Sequence, residues 1–204
     1  KKQEHPAAAV VCYVNSTVEV KAESDICCTS SNAVKVVKSL TNKEIIFVPD
    51  QSLGYYVSTQ VPEKKFIFWP GFCPTHHRIF IQDINRIKKL YPDAKVAAHP
   101  ECTKDILEAA DFVGSTNQII QHMKMTKDNK WIIASENGML YTLQKHNPDK
   151  QFLSVSELAT CPNMKMTTLP KILEVLEQET NRITVEENIA KKARICIEKM
   201  LRIA

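Results

Sequence analysis

The chain has 204 residues, of which 44% are hydrophobic and 25% are charged, and its formal net charge is +4. This composition is typical of a globular protein and excludes a disordered, collagen-like or coiled-coil chain. The sequence contains no apolar run near the roughly 20 residues of a membrane span. It also contains no clustered basic segment of the kind that binds nucleic acid. We therefore expect one or two ordinary globular domains with no nucleic-acid partner and no membrane partner.

Predicted strands and helices alternate along the chain. The apolar, β-rich runs are short and continuous, which is typical of parallel strands covered by helices on both faces. The predicted strands span residues 8–12, 26–28, 45–48, 66–69, 95–98, 112–113 and 131–134. Helical patterns span residues 32–40, 77–90, 104–110 and 117–125, and two amphipathic helices are expected between residues 167 and 204.

An internal repeat is the most informative pattern. Strand residues, turn residues and acidic residues recur at an offset of 86 (95 − 9), and a Cys-Pro pair recurs at an offset of 88 (161 − 73). The aligned pairs include Ala9 with Lys95, Asp25 with Asp111, Ile45 with Trp131, Asp50 with Glu136, and Cys73 with Cys161. Self-similarity at a fixed period indicates repeated structural units.

The repeat predicts an α/β fold of repeated three-layer α/β/α units with short parallel sheets. We expect one unit over residues 1–75, a second over 76–165, and C-terminal helices over 166–204. Extending the repeat backwards puts another Cys-Pro turn about 14 residues before Lys1 (73 − 87). Residues 1–6 would then end a helix of an earlier unit, on which the C-terminal helices would pack.

The seven cysteines are odd in number, and the sequence shows no secretion signal. We therefore expect a reducing, cytoplasmic setting with buried or metal-binding thiols rather than a disulfide framework. Cys12, Cys27, Cys28 and Cys196 are expected in the core. Cys102 follows a polar turn and has no repeat partner, so we expect a structural role for it.

Cys73 and Cys161 are the candidate metal ligands, because the repeat would bring their turns to one pseudosymmetric cleft. With a third such turn they would form a triangle of thiolates able to hold an iron–sulfur cluster. Two alternatives stay open. Both cysteines could be ordinary loop thiols, or Cys73 and His76 could bind zinc, since a C-x2-H spacing suits that metal.

Polar pairs follow the first strand of each unit: Tyr13 with Asn15, and His99 with Glu101. Residues two apart on a strand point to the same side, and open α/β sheets bind ligands at the carboxyl ends of their strands. A carboxylate there can act as a general base and an imidazole can orient or move a proton. Capping and salt bridging are the alternative roles.

Hydroxyl side chains are predicted to open a helix in each unit. Ser30 and Thr116 occupy matching positions of the repeat. Hydroxyls and free amides at a helix N-terminus can bind a phosphate or carboxylate. Plain helix capping is the alternative, and the two roles are compatible.

Seven motifs resemble those of the quinolinate synthase family, in order and in spacing, over essentially the whole chain. They are Tyr13-Val14-Asn15-Ser16-Thr17, the run 25–34, Val48-Pro49-Asp50, Gly71-Phe72-Cys73-Pro74, His99-Pro100-Glu101-Cys102, Val113-Gly114-Ser115-Thr116, and Cys161-Pro162-Asn163-Met164-Lys165. One position departs from the family pattern: Tyr55 follows Leu53-Gly54 where the family often has a basic residue.

The resemblance implies three α/β/α units around a pseudo-threefold axis, with a [4Fe–4S] cluster at the centre and one cysteine from each unit. Cys73 and Cys161 would be the second and third ligands, and the remaining ligand would belong to a first unit that precedes these residues. The implied activity is a transferase reaction that condenses iminoaspartate with dihydroxyacetone phosphate to quinolinate, phosphate and water, in NAD biosynthesis. The resemblance also implies a functional link to L-aspartate oxidase or aspartate dehydrogenase.

The resemblance also implies roles for individual residues. Glu101 would be the catalytic carboxylate, and His99 and Tyr13 would bind substrate and take part in catalysis. The implied substrate-binding residues are Tyr13, Asn15, Ser30, His76, His99, Glu101 and Thr116. Without the first unit, the isolated chain is expected to be inactive or nearly so. The competing hypothesis is a non-catalytic α/β module that binds a small molecule and carries no metal.

Overall fold

The computed structural model describes residues 1–203 and contains two four-stranded parallel sheets flanked by helices. The strands are β1 (Ala9–Tyr13), β2 (Ile26–Cys28), β3 (Glu44–Val48), β4 (Lys65–Phe68), β5 (Lys95–Ala98), β6 (Phe112–Val113), β7 (Lys130–Ala134) and β8 (Gln151–Ser154). The helices are α1 (Val18–Ala22), α2 (Ala33–Ser39), α3 (Gln51–Gln60), α4 (Ile81–Leu90), α5 (Lys104–Ala109), α6 (Thr116–Met125), α7 (Gly138–His146), α8 (Pro162–Lys165), α9 (Leu169–Gln178) and α10 (Glu187–Leu201). The predicted C-terminal helical region ends at residue 204, which lies outside the described residues.

The two sheets have the same strand order, β2-β1-β3-β4 and β6-β5-β7-β8. Their register also repeats at the offset of 86. Val11 pairs with Ile26 in the first sheet, and Ala97 pairs with Phe112 in the second. The predicted fold class, repeated α/β/α units with short parallel sheets, is confirmed. Among residues 1–203 no helix combines the length and apolarity that crossing a membrane requires.

The apolar runs form strands because both faces of each central strand are buried. In the second sheet, Val96 and Ile132 pack in one core, while Ala97 and Ile133 pack in another on the opposite face. In the first sheet, residues of β1, β2 and β3 form a core with residues of α2, α3 and α10. The cysteines predicted to lie in the core, together with Cys102, are buried as expected.

Some strands and helices of the structure were not predicted from the sequence, and one helix begins later than predicted. The strand β8 has no continuous apolar run, because it lies at a sheet edge and is only partly buried. The helix predicted over 77–90 begins at Ile81. Before it lie a 3-10 turn at His76–Arg78, the extended backbone of Ile79, which ends that turn, and the extended backbone of Phe80, which starts the helix.

Helix α10 packs against α1 and β2, with Ala193, Cys196 and Met200 buried. Its amphipathic pattern therefore has a partner within the chain. Helix α9 differs, because all 10 of its residues are exposed, including an apolar stripe. The expectation that the C-terminal region packs on another unit thus remains a prediction for α9.

Truncating a central strand residue should destabilise the first unit. Phe47 on β3 is 0% exposed within the core of that sheet. We expect Phe47→Ala to lower the free energy of unfolding by about 3–5 kcal/mol, because the ring leaves a cavity. Leu90→Ala is the control, since Leu90 is 72% exposed and should cost less than about 0.5 kcal/mol. Chemical denaturation measures both, and equal losses would contradict the described core.

Candidate functional site

The candidate site lies where β1 and β5 end, between the two units. Tyr13 is the last residue of β1, and His99 and Glu101 directly follow β5. Burial raises the pKa of Tyr13, and the neighbouring Glu101 carboxylate raises that pKa further. The Tyr13 hydroxyl therefore keeps its proton and interacts with Glu101 across the boundary between the units. The Ser30 side chain acts in the opposite direction on the pKa of Tyr13.

Two ligand-type side chains, those of Cys73 and His76, cluster around Glu101. One ligand atom each of Cys73, His76 and Glu101 lies within 4.8 Å of the others. His76 Nδ1 is 3.1 Å from Glu101 Oε2. Burial acts to lower the pKa of His76, but Cys73 and Glu101 outweigh it and raise that pKa to about 9. His76 is thus a buried cation at neutral pH, paired with an anion.

Glu101 itself is ionised although it is buried. Burial acts to raise its pKa, but His76, His99 and Tyr13 outweigh burial and leave the pKa below its usual range. A carboxylate that stays charged inside the protein can accept a hydrogen bond or a proton from a bound ligand.

His99 complements this pair as a neutral imidazole. Its ring stacks on the ring of His76 with centroids 4.5 Å apart and an angle of 14°. Burial, together with His76, lowers the pKa of His99 to about 4. The main-chain N–H of Glu101 donates to His99 Nδ1 over 3.3 Å. Because Nδ1 accepts, the proton of the neutral ring is on Nε2, which is therefore a donor.

Several buried polar atoms of the cluster are left without partners. His76 Nδ1 and Nε2 and Glu101 Oε1 make no hydrogen bond with the described residues, although Nδ1 is at ion-pair distance from Glu101. Unpaired buried polar atoms are uncommon and costly, so they indicate a missing partner such as a substrate or metal. A thiol, an imidazole and a carboxylate together are also a plausible donor set for zinc or iron.

Cys161 lies near the Cys73 turn. The pKa of Cys161 is lowered, chiefly by the main-chain N–H of Met164. The Thr75 hydroxyl also lowers it. Thr75 is two residues after Cys73, so the two Cys-Pro turns, predicted to converge, are neighbours. Both cysteines are partly exposed, unlike the other five, which are buried.

The remaining predicted binding residues lie after the carboxyl ends of β1, β2 and β6. Thr116 is the first residue of α6 and is exposed, and Ser115 rather than Thr116 caps that helix. Ser30 does not open α2, because a Thr29–Asn32 turn comes before the helix. Asn15 is exposed in the loop after β1.

Three further polar residues of this region received no role from the sequence. Asp50 and Thr75 are buried beside Cys73, and the buried Ser135 hydroxyl has no partner among residues 1–203. For Asp50, its alignment with Glu136 in the repeat could have indicated a role in the site. No pattern in the sequence indicated such a role for Thr75 or Ser135.

The fold and site define an α/β protein that binds a small ligand at the carboxyl ends of parallel strands. Residues 1–202 match the family described as quinolinate synthetase A protein. The chain belongs to this family.

Curated relatives agree with that assignment. The quinolinate synthase of Alkaliphilus metalliredigens is 52% identical over 202 residues, which cover 99% of this chain and 67% of the relative. The quinolinate synthase of Sulfurihydrogenibium sp. is 51% identical over 208 residues, covering 100% and 68%. That of Aquifex aeolicus is 46% identical over 208 residues, covering 100% and 65%. The chain thus spans about two thirds of the length of these relatives.

Proposed function

We propose that this chain forms two of the three α/β units of a quinolinate synthase. The reaction is the condensation of iminoaspartate with dihydroxyacetone phosphate to quinolinate, phosphate and water, in the synthesis of NAD. The observation that carries the proposal is the buried group of His76, His99 and Glu101, whose unpaired polar atoms lie beside Cys73. Membership of the family supports the same activity. The enzyme would work in the cytoplasm, with iminoaspartate supplied by L-aspartate oxidase or aspartate dehydrogenase.

We propose Cys73 and Cys161 as ligands of a [4Fe–4S] cluster, with a third cysteine from outside these residues. Their partial exposure, the proximity of their turns and the lowered pKa of Cys161 fit thiolate ligands. A cluster bound by three thiolates leaves one iron free to act as a Lewis acid towards a substrate oxygen.

Glu101 is the proposed general base. Joining the two substrates through a C–N and a C–C bond, with the phosphate group leaving and water being lost, requires protons to be removed and returned. The carboxylate of Glu101 is ionised and Tyr13 keeps its proton. One can therefore accept a proton while the other donates a hydrogen bond or a proton at the same position.

The other residues bind and orient substrate in this proposal. His99 Nε2–H donates to a substrate oxygen, and the His76 cation balances the charge of substrate carboxylates. Ser30, Asn15 and Thr116 supply polar groups after the carboxyl ends of the strands, where a phosphate or carboxylate would be held.

A mononuclear metal site is the second candidate. The convergence of Cys73, His76 and Glu101 within 4.8 Å favours it. It would give one zinc per chain, no acid-labile sulfide and no brown colour. A non-catalytic binding module would give no metal at all. Metal and sulfide analysis of the purified chain separates these three cases.

The chain contains evidence for how a third unit would dock. Helix α4 follows Cys73 and α9 follows Cys161, and both are 10 residues long with starts 88 residues apart (169 − 81). Helix α4 buries Ile84 and Ile87 in the core of the next unit. The equivalent residues of α9, Ile172 and Val175, are exposed. We infer that α9 packs on the sheet of a further α/β unit.

Complementation tests the proposed function. We expect the isolated chain to form no measurable quinolinate, and addition of the N-terminal third of the Alkaliphilus relative to produce activity. The double variant Ile172→Asn and Val175→Asn should reduce that gain at least tenfold, because the docking face becomes polar. Glu174→Gln, on the same exposed helix, is the control. Full activity of the isolated chain, or none after complementation, would contradict the proposal.

A further inference from the structure

Each Cys-Pro turn is tied to a buried carboxylate at the end of the third strand of its unit. In the first unit, Asp50 Oδ2 accepts the main-chain N–H of Cys73 over 2.9 Å. Asp50 Oδ1 accepts the N–H of Leu53 in the first turn of α3 over 2.8 Å. One carboxylate therefore links the start of a helix to the turn that carries the thiol, 23 residues further along the chain (73 − 50).

The second unit repeats this arrangement. Glu136 Oε1 accepts the main-chain N–H of Cys161 over 3.3 Å, and Glu136 Oε2 accepts that of Gly138 over 2.7 Å. Lys165 Nζ also lies 3.1 Å from Glu136 Oε1. An aspartate in one unit and a glutamate in the other thus each accept from the N–H of the cysteine and from an N–H in the first turn of the following helix, that of Leu53 in α3 and that of Gly138 in α7.

The backbone next to each carboxylate repeats as well. The N–H of Gln51 donates to Gly71 O, and the N–H of Asn137 donates to Ala159 O, both over 2.8 Å. At Gly71 an added Cβ would collide with the carbonyl oxygen of Pro49. The two turns are therefore held closely against the ends of β3 and β7.

Helix capping alone does not account for these carboxylates. Asp50 is 4% exposed and Glu136 is 9% exposed. Burying a carboxylate costs free energy that its hydrogen bonds must offset. A serine hydroxyl could cap α3 at lower cost, but its single short oxygen would not also reach Cys73. The second oxygen of each carboxylate is needed to accept the main-chain N–H of the cysteine.

We propose that Asp50 and Glu136 are positioning residues for the two cysteines. By fixing the main chain at Cys73 and Cys161, they keep one thiol beside Glu101 and the other beside Thr75. The role of these thiols as cluster ligands rests on the function proposed above. The restraint on the turns does not require a cluster.

Amide exchange in the metal-free chain tests the restraint. The chain is labelled with 15N-cysteine, and hydrogen exchange of each cysteine amide is followed by NMR. Asp50→Ser retains a helix cap but removes the acceptor for Cys73, so the Cys73 amide should exchange at least about tenfold faster. Glu136→Ser should do the same for Cys161 alone. The remaining cysteine amides are internal references.

Two further variants separate positioning from loss of stability. Glu186 caps α10 with its carboxylate, which accepts the N–H groups of Asn188 and Ile189 far from either turn. Glu186→Ser should change neither the Cys73 nor the Cys161 amide. Asp50→Asn keeps the shape of the side chain and one acceptor oxygen, so the exchange rate of the Cys73 amide should be intermediate. This variant replaces Asp50→Ser if the serine variant does not fold.

The outcomes distinguish this inference from the proposed function. Unchanged exchange at Cys73 and Cys161, or equal acceleration at all cysteine amides, would overturn the positioning role. After anaerobic reconstitution together with the N-terminal third of the Alkaliphilus relative, the freed turns should lower iron per chain or alter the EPR spectrum of the cluster. Unaltered iron content and spectrum in a parent that binds iron would also overturn the positioning role. If the parent binds no iron even in that mixture, the cluster proposal fails, whereas the exchange pattern still decides the positioning role.

Discussion

Replacing Cys73 or Cys161 by alanine is expected to abolish iron binding when the chain is reconstituted anaerobically together with the N-terminal third of the Alkaliphilus relative, which would supply the third thiolate. Iron and acid-labile sulfide should fall from about four of each per chain to below about one, because each thiolate contributes one of the three protein bonds proposed to hold the cluster. The brown absorption of the cluster should be lost in parallel. Iron analysis, sulfide analysis and absorption spectra measure the change.

Cys102→Ala is the matched control for this experiment. Cys102 is the cysteine nearest to Glu101 in sequence, but it is buried and its thiol donates to Ala134 O. Burial raises its pKa well above the usual range, so it remains protonated and should not bind iron. Loss of iron in Cys102→Ala, with retention in either of the other two variants, would reverse the ligand assignment.

Reconstitution of the parent chain on its own would have a defined meaning as well. Its iron content would be compared with that obtained when the N-terminal third of a relative is present. Iron uptake only in that mixture would show that a third ligand from the preceding unit is essential. No uptake in either case, with one zinc per chain instead, would favour the site of Cys73, His76 and Glu101.

Much of the fold could be predicted because the repeat carries the same signal twice. The central strands β1, β3, β5 and β7 are apolar on both faces, so their burial is visible in the sequence. The edge strand β8 is only partly buried and left no such signal. Helix α3 was missed because Gly54 and several residues of modest helix propensity dilute its pattern, and its stability comes from packing.

The candidate site was predictable in residue type but not in its contacts. Tyr13, His99 and Glu101 could be identified because they lie at the carboxyl ends of predicted strands. The interaction between Tyr13 and Glu101 crosses two units, and the pairing of His76 with Glu101 depends on how the Cys73 turn folds back. Such contacts follow from tertiary packing, which local patterns do not encode. The role of Asp50 was likewise hidden, because its partner is a main-chain N–H.

Glu101→Gln should abolish quinolinate formation by the complemented chain while leaving the fold intact. The amide has nearly the same shape as the carboxylate but cannot accept a proton, so we expect kcat to fall about 100- to 10,000-fold, the usual contribution of a general base. The KM for either substrate should change much less, because Tyr13, His99 and the hydroxyls of Ser30 and Thr116 remain. Steady-state kinetics with both substrates varied separates the two parameters.

Glu108→Gln is the control for the loss of a carboxylate. Glu108 lies on α5, and its exposed side chain pairs only with Lys104 at 3.6 Å, so its removal should leave kcat unchanged. Iron content should be the same in the parent chain and both variants, since Glu101 is assigned to proton transfer rather than to the cluster. If Glu101→Gln instead lost metal together with activity, Glu101 would be a ligand, and the mononuclear site would replace the cluster as the better account of the buried Cys73–His76–Glu101 group.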